Sequence, residues 1–159
     1  MNESGTADPG GLSDPVSRAS RHFEPAAATP AAVRAFARST LDGWDLVPDE
    51  TVLVAHELAT NAIFHAAPAP AFTVALLRRD ARVRVEVSAA TPDGEPPGPG
   101  GDGSERGLVL VRGLASTWGV LVHGGGTTLW AEIDVHRRAG APSSTGHDRR
   151  SEDASRSSR

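Results

Sequence analysis

The sequence predicts an α+β fold, a two-layer sandwich in which helices cover one face of a mostly antiparallel sheet. Three observations carry this. Apolar residues recur at helical spacing from residue 29 to about 66, and beyond Pro70 the period changes to two. A further helical pattern over residues 105–116 then gives way to a last alternating run, "TTLWAEIDV". Two helices, a hairpin, a helix and further strands point to an α+β sandwich.

The 159 residues suffice for one domain with loose ends. Residues 1–20, "MNESGTADPGGLSDPVSRAS", and residues 137–159 are small, polar and charged. Both are predicted to be disordered tails, because they bury too little apolar surface to offset the entropy of ordering. The predicted folded unit is therefore residues 21–136. Within it, "SRHFEP" predicts a short edge strand closed by Pro25. "TPAAVRAFARSTLDGW" predicts a helix with Thr29 as N-cap and Pro30 in the first helical position. Val33, Phe36, Ala37 and Leu41 form its apolar stripe, and Gly43 is the expected stop.

"LVPDETVLVAHELATNAIFHAA" predicts a second helix running to about Ala66, with Asp49 as cap and Glu50 favouring the dipole. "AFTVALLRR" and "ARVRVEVS" then read as two strands joined at Asp80-Ala81. Val83, Val85 and Val87 point to a covered face, and Arg82, Arg84 and Glu86 to a wet one. The third helix, "ERGLVLVRGLAS", carries Leu108, Val111, Leu114 and Ala115 on one side. The last strand has Leu129, Ala131, Ile133 and Val135 on its inner face. Residues 91–107, "TPDGEPPGPGGDGSERG", are dominated by glycine and proline. A loop of that length feeding a helix N-terminus is expected to be a lid.

Sixteen basic residues against twenty acidic ones, with no basic run among aromatics, leave no electrostatic footprint for nucleic acid. Cysteine is absent, which removes disulfide and thiolate chemistry. No apolar run approaches the roughly 18 residues of a membrane span, and no signal-peptide core is present. A soluble, cytoplasmic protein that binds neither membrane nor nucleic acid is the expectation.

The candidate chemistry lies in "HELATNAIFH", where Glu57, Asn61 and His65 stand one turn apart on one helix edge. Leu53, Leu58, Ala62 and Phe64 hem that edge, so it is not a solvated face. It either opens to solvent at the helix margin or meets something polar, because a half-buried carboxylate without a partner is costly. Asn61 offers a hard carbonyl oxygen suited to Mg²⁺, and Glu57 a carboxylate able to orient water or accept a proton. His65 reads as a capping or packing residue, and the other histidines form no metal-like spacing with it. Two weaker signals are Arg106-Gly107-Leu108, a helix N-terminus able to receive phosphate, and "GGGTTLW", a glycine run entering the last strand.

In this order the pieces resemble the histidine-kinase-like ATPase superfamily, and within it the anti-sigma-factor serine/threonine kinases and their actinobacterial relatives. The resemblance covers about residues 22–135. "ELATNAIFHA" is similar to the family's Asn-bearing helix motif, "ERGLVLVRGLASTWGV" to its phosphate-side glycine motif and following helix, and "GGGTTLWAEI" to its last glycine motif and strand. The resemblance implies a Bergerat-type α/β sandwich that binds ATP. Asn61 would ligate Mg²⁺ bridging the phosphates, and Glu57 would activate an acceptor hydroxyl or a water. Arg106, Gly107 and Leu108 would lie at the phosphates, and Thr128 at the pocket floor. The implied partners are a sigma factor and a small antagonist protein phosphorylated on serine; a second copy of the chain is a further candidate.

Two departures from the family pattern stand out. Where the family carries an Asp that binds the adenine amino group, this chain has Ala89, whose methyl accepts no hydrogen bond. Ser88 or a water would have to replace it. Glu105 stands in place of the usual Gly, and with Asp93, Glu95 and Asp102 it surrounds Arg106 with carboxylates. These departures raise a second reading, a degenerate relative that keeps the fold, has lost the nucleotide and works through protein contacts alone.

Overall fold

The computed structural model describes residues 17–65, 71–90 and 104–137, with side chains described for all but 64, 65 and 104–107. Residues 91–103 of the expected lid and most of both expected tails lie outside the described residues. The elements in chain order are β1 (Ser17–Phe23), α1 (Thr29–Gly43), α2 (Asp49–His65), β2 (Phe72–Arg79), β3 (Arg82–Ala90), α3 (Ser104–Leu114), β4 (Thr117–His123) and β5 (Gly126–Asp134). The strands form one sheet in the order β1-β2-β3-β5-β4, and every neighbouring pair is antiparallel. The expected α+β sandwich is thus what the chain forms.

α1 begins where expected but is not capped as expected. Its N-cap is Ala28, and the Thr29 hydroxyl instead ties down the preceding turn, accepting from the Ala26 N–H and donating to the Glu24 carbonyl. α1 ends at Gly43 as expected, and Asp45, two residues on, takes the closing conformation. Asp45 takes φ 57°, a left-handed conformation that Asp tolerates better than most residues. The Asp45 N–H bonds the Asp42 carbonyl and the Leu46 N–H bonds the Leu41 carbonyl, which is the Schellman pairing. Its apolar partners Leu41 and Leu46 are both buried.

In α2 the Val52 N–H bonds the Pro48 carbonyl, so Asp49 lies already inside the first turn, beside Glu50. Val54, Ala55, Leu58 and Ala59 of this helix pack with Val74 and Leu76 of β2, the three valines of β3, and Leu129, Ala131 and Ile133 of β5. Each fully buried Val, Leu or Ile contributes about 1.5–3 kcal/mol. Val33, Ala37 and Leu41 of α1 and Val111 of α3 complete the core between helices and sheet.

Three features differ from the sequence expectation. β1 begins at Ser17, within the stretch assigned to the tail, because Ser17–Ser20 pair with Arg78–Ala75 of β2. The third helix stops at Leu114, and Thr117–His123 continue as edge strand β4 rather than as part of a helix motif. The face of β3 expected to be wet is also not wet throughout. Arg84 is 2% exposed, its guanidinium 4.3 Å from the Trp130 ring centroid and 3.0 Å from Glu86, with Glu132 at 3.7 Å. Glu132 is itself buried, and the Thr117 hydroxyl donates to it at 3.2 Å. A charged side chain is buried here because an aromatic plate and two carboxylates replace water around it. None of the described helices is long and apolar enough to cross a membrane.

Candidate functional site

The candidate site is assembled from α2, the end of β3 and the start of β5. α2 is buried over a broad arc because it packs against both α3 and the sheet. That leaves the edge bearing Glu57 and Asn61 at the margin of the core. Glu57 is half-buried and forms no hydrogen bond or ion pair among the described residues. Asn61, one turn on, is 8% exposed, and its Oδ1 is buried with no hydrogen-bond partner among the described residues. The neighbouring Thr60 Oγ1 is likewise unpartnered. Buried oxygens of this kind are rare, because a lost hydrogen bond costs about 1–3 kcal/mol. The His65 side chain lies outside the described residues.

At the sheet, register decides which residues belong to the site. Ala89 packs against the core and pairs directly with Thr127, while Ser88 pairs with Thr128. Directly opposed residues share a face, and successive residues alternate. Thr127 therefore faces the helices beside Ala89, and Thr128 faces away from them. The hydrogen bonds agree. Thr128 Oγ1 lies 2.8 Å from Ser88 Oγ and 3.3 Å from His123 Nε2, whereas Thr127 is 4% exposed and its Oγ1 has no partner among the described residues. Thr128 is thus not on the pocket side, and Ser88 cannot stand in for the missing carboxylate at Ala89. The residue the sequence reading missed is Thr127. Parity would have found it, since it stands two before the inward Leu129.

Gly126 closes this corner. A Cβ there would run into the Ala89 carbonyl, so the residue is glycine for space and not only for the turn. The turn itself is served by Gly125 at φ 131°. At the other border, α3 begins at Ser104, so only Gly107 of the Gly107–Leu108 pair lies in its first turn. The Leu108 N–H falls one turn in, opposite the Ser104 carbonyl, and is not a free donor. The Leu108 side chain is half-buried. Arg106 lies in the same first turn, and its side chain is outside the described residues.

Chemically, the arrangement offers one hard amide oxygen and two hydroxyls, of Thr60 and Thr127, without partners among the described residues, and a half-buried carboxylate. No cluster of three His, Asp or Glu side chains placed to hold a metal occurs among the described residues. Asn61 alone would leave most of a Mg²⁺ coordination sphere to phosphate oxygens and water, which is how Mg²⁺ is commonly held beside nucleotides. The metal–phosphate half of a nucleotide site fits these residues. Ala89 offers no side-chain acceptor for a base amino group.

No protein-family profile matches the chain, and no curated protein does. Among solved structures, the RsbU and RsbW domains of Rv1364c from Mycobacterium tuberculosis match at a TM-score of 0.58 and 21% identity, covering 77% of this chain. This chain spans 33% of that one. The histidine kinase domain of a blue-light-activated kinase from Erythrobacter litoralis matches at 31% identity with a TM-score of 0.39, covering 55% of this chain and 46% of that one. The first likeness shows a shared fold, which in the described residues is a five-stranded antiparallel sheet backed by three helices.

Proposed function

We propose that the chain is an ATP-binding regulatory protein of the anti-sigma serine/threonine kinase type. It phosphorylates a protein antagonist and sequesters a sigma factor in the cytoplasm. The observation that carries this is the pair of buried, unpartnered oxygens Asn61 Oδ1 and Thr127 Oγ1, with Glu57 one turn before Asn61. In this reading Asn61 ligates Mg²⁺ at the ATP phosphates, Thr127 bonds the nucleotide or its water, and Glu57 receives the proton of the attacking serine hydroxyl. Bound Mg²⁺ would supply charge neutralisation at the phosphates. The likeness to a structure containing an RsbW domain supports the fold this requires.

The test is a calorimetric titration of ATP–Mg²⁺ into the wild type and the Asn61→Ala variant. Saturable binding by the wild type and at least tenfold weaker binding by the variant is expected; no heat at millimolar nucleotide rejects the proposal. Ala89 favours a second reading, in which the nucleotide has been lost and partners are held by protein contacts alone. That reading requires Glu57→Ala and Asn61→Ala to leave partner binding unchanged, and a large loss in either variant removes it.

A further inference from the structure

The end of the sheet remote from Ala89 and Gly126 holds two adjoining cavities of about 470 and 330 Å³ around the β2–β3 turn. β3 spans nine residues between the two ends, roughly 25 Å. The larger cavity has apolar walls from Leu46 and Val135 and a polar lining from Arg78, Asp80, His136 and Arg137. Its frame is fixed by backbone hydrogen bonds. The Val47 N–H bonds the His136 carbonyl at 2.9 Å, the Val135 N–H bonds the Ala81 carbonyl at 2.8 Å, and Leu46 bridges to Arg137.

Of the cavity's two guanidiniums, Arg78 is half-buried and under-coordinated among the described residues, while Arg137 is exposed at the rim. An arginine carries five N–H donors. Among the described residues Arg78 makes one hydrogen bond, from NH1 to the Trp44 carbonyl, and at 3.4 Å it is long. Its Nε is buried with no acceptor. Neither Arg78 nor Arg137 forms an ion pair among the described residues, although Asp80 lines the same cavity, whereas Arg38 and Arg82 both have carboxylate partners. Two guanidiniums against one carboxylate leave the cavity net positive. Half-buried donors of a charged group normally find acceptors, and a guanidinium fork matches the two oxygens of a carboxylate or phosphate.

We propose that this cavity binds an oxyanion, a carboxylate or phosphate group carried by a small molecule. Arg78 and Arg137 hold the charge, and Leu46 and Val135 cover the apolar part. A volume of about 470 Å³ falls within the usual range for small-molecule sites. The site is separate from the proposed nucleotide site and does not rest on it.

The experiment is ¹⁵N-resolved NMR on the full chain, following the Arg78 Nε–H and the Ala81 amide. Inorganic phosphate and succinate are titrated separately at constant ionic strength, with chloride as control. A saturable shift with either oxyanion, absent with chloride, is expected, and comparing the two assigns the site to phosphate, carboxylate or both. Arg78→Gln and Arg137→Gln should each weaken binding at least about tenfold. Asn61→Ala should leave it unchanged, which separates this site from any phosphate binding near α2. Arg137 is exposed, so its variant remains informative if Arg78→Gln fails to fold. No saturable shift with either oxyanion, or a titration unaltered by Arg137→Gln, overturns the proposal.

Discussion

Thr127 and Thr128 are adjacent and chemically identical, yet the same substitution at each should have opposite effects. Thr127 Oγ1 is buried with no partner, so replacing its hydroxyl by the methyl of valine removes an uncompensated polar atom. An unsatisfied buried group costs about 1–3 kcal/mol, so nucleotide-free Thr127→Val should gain roughly 1 kcal/mol. Thr128 Oγ1 is bonded to Ser88 Oγ at 2.8 Å, so Thr128→Val breaks a bond and strands a half-buried hydroxyl. It should lose about 1 kcal/mol. The variants then differ by roughly 2 kcal/mol, or about 1 M in urea midpoint at an m-value near 2 kcal/mol/M. Nucleotide affinity should move the other way. Thr127→Val should bind ATP–Mg²⁺ about fivefold more weakly, at roughly 1 kcal/mol for one neutral hydrogen bond, with Thr128→Val unchanged. Urea unfolding followed by circular dichroism, paired with calorimetry, reads both effects. A Thr128→Val variant that is the more stable of the two, or the weaker binder, would show that the register is not the one described.

Gly126→Ala should cost roughly 1–3 kcal/mol, because the new methyl forces β3 and β5 apart at the Ala89 carbonyl. Gly124→Ala, with open space around it, should be nearly neutral, and equal urea midpoints for the two would refute this. Arg84→Met should cost about 3–5 kcal/mol by leaving buried Glu132 with only the half-exposed Arg82 guanidinium at 4.0 Å, and adding Glu132→Gln should recover part of that loss in thermal unfolding. A single-variant loss below about 1 kcal/mol would mean the network is solvated. Ala89→Asp places a carboxylate on the face shared with Thr127 and should tighten adenine-nucleotide binding by about ten- to a hundredfold in calorimetry. Unaltered affinity would take this residue out of the base pocket.

What was legible in the sequence was what periodicity encodes. The valines of β3, the apolar stripe of α1, and Val111, Leu114 and Ala115 at and after the end of α3 fall on the core side, as their spacing requires. Glu57 and Asn61 share a helix edge by simple i, i+4 geometry. What was not legible depends on long-range pairing. "SRAS" has no strand signal of its own and becomes β1 only through its ladder with β2. Arg84 alternates like a solvent-facing residue, and only the cross-strand neighbour Glu132 and the overlying Trp130 make its burial tolerable. α1 ends at Gly43 as expected, but the left-handed position that closes it is taken by Asp45, which carries no glycine signal.

The unpartnered atoms tie the two ends of the sheet into one energetic argument. Asn61 and Thr127 lie toward one end, and Thr51 and Arg78 border cavities at the other. At about 1–3 kcal/mol each, four such groups rival the 5–15 kcal/mol by which an ordinary domain is stable. These groups have no partner among the described residues, and water or a ligand that completed their hydrogen bonds would recover that cost. A ligand that binds only the folded state adds stability according to its concentration relative to its Kd. Because the ends are roughly 25 Å apart and share no contacting groups, the increments should add. The melting temperature with ATP–Mg²⁺ and succinate together should therefore exceed the ligand-free value by about the sum of the separate shifts. A combined shift no larger than the greater of the two would mean that both ligands compete for one site, and the separation of the two ends would fail.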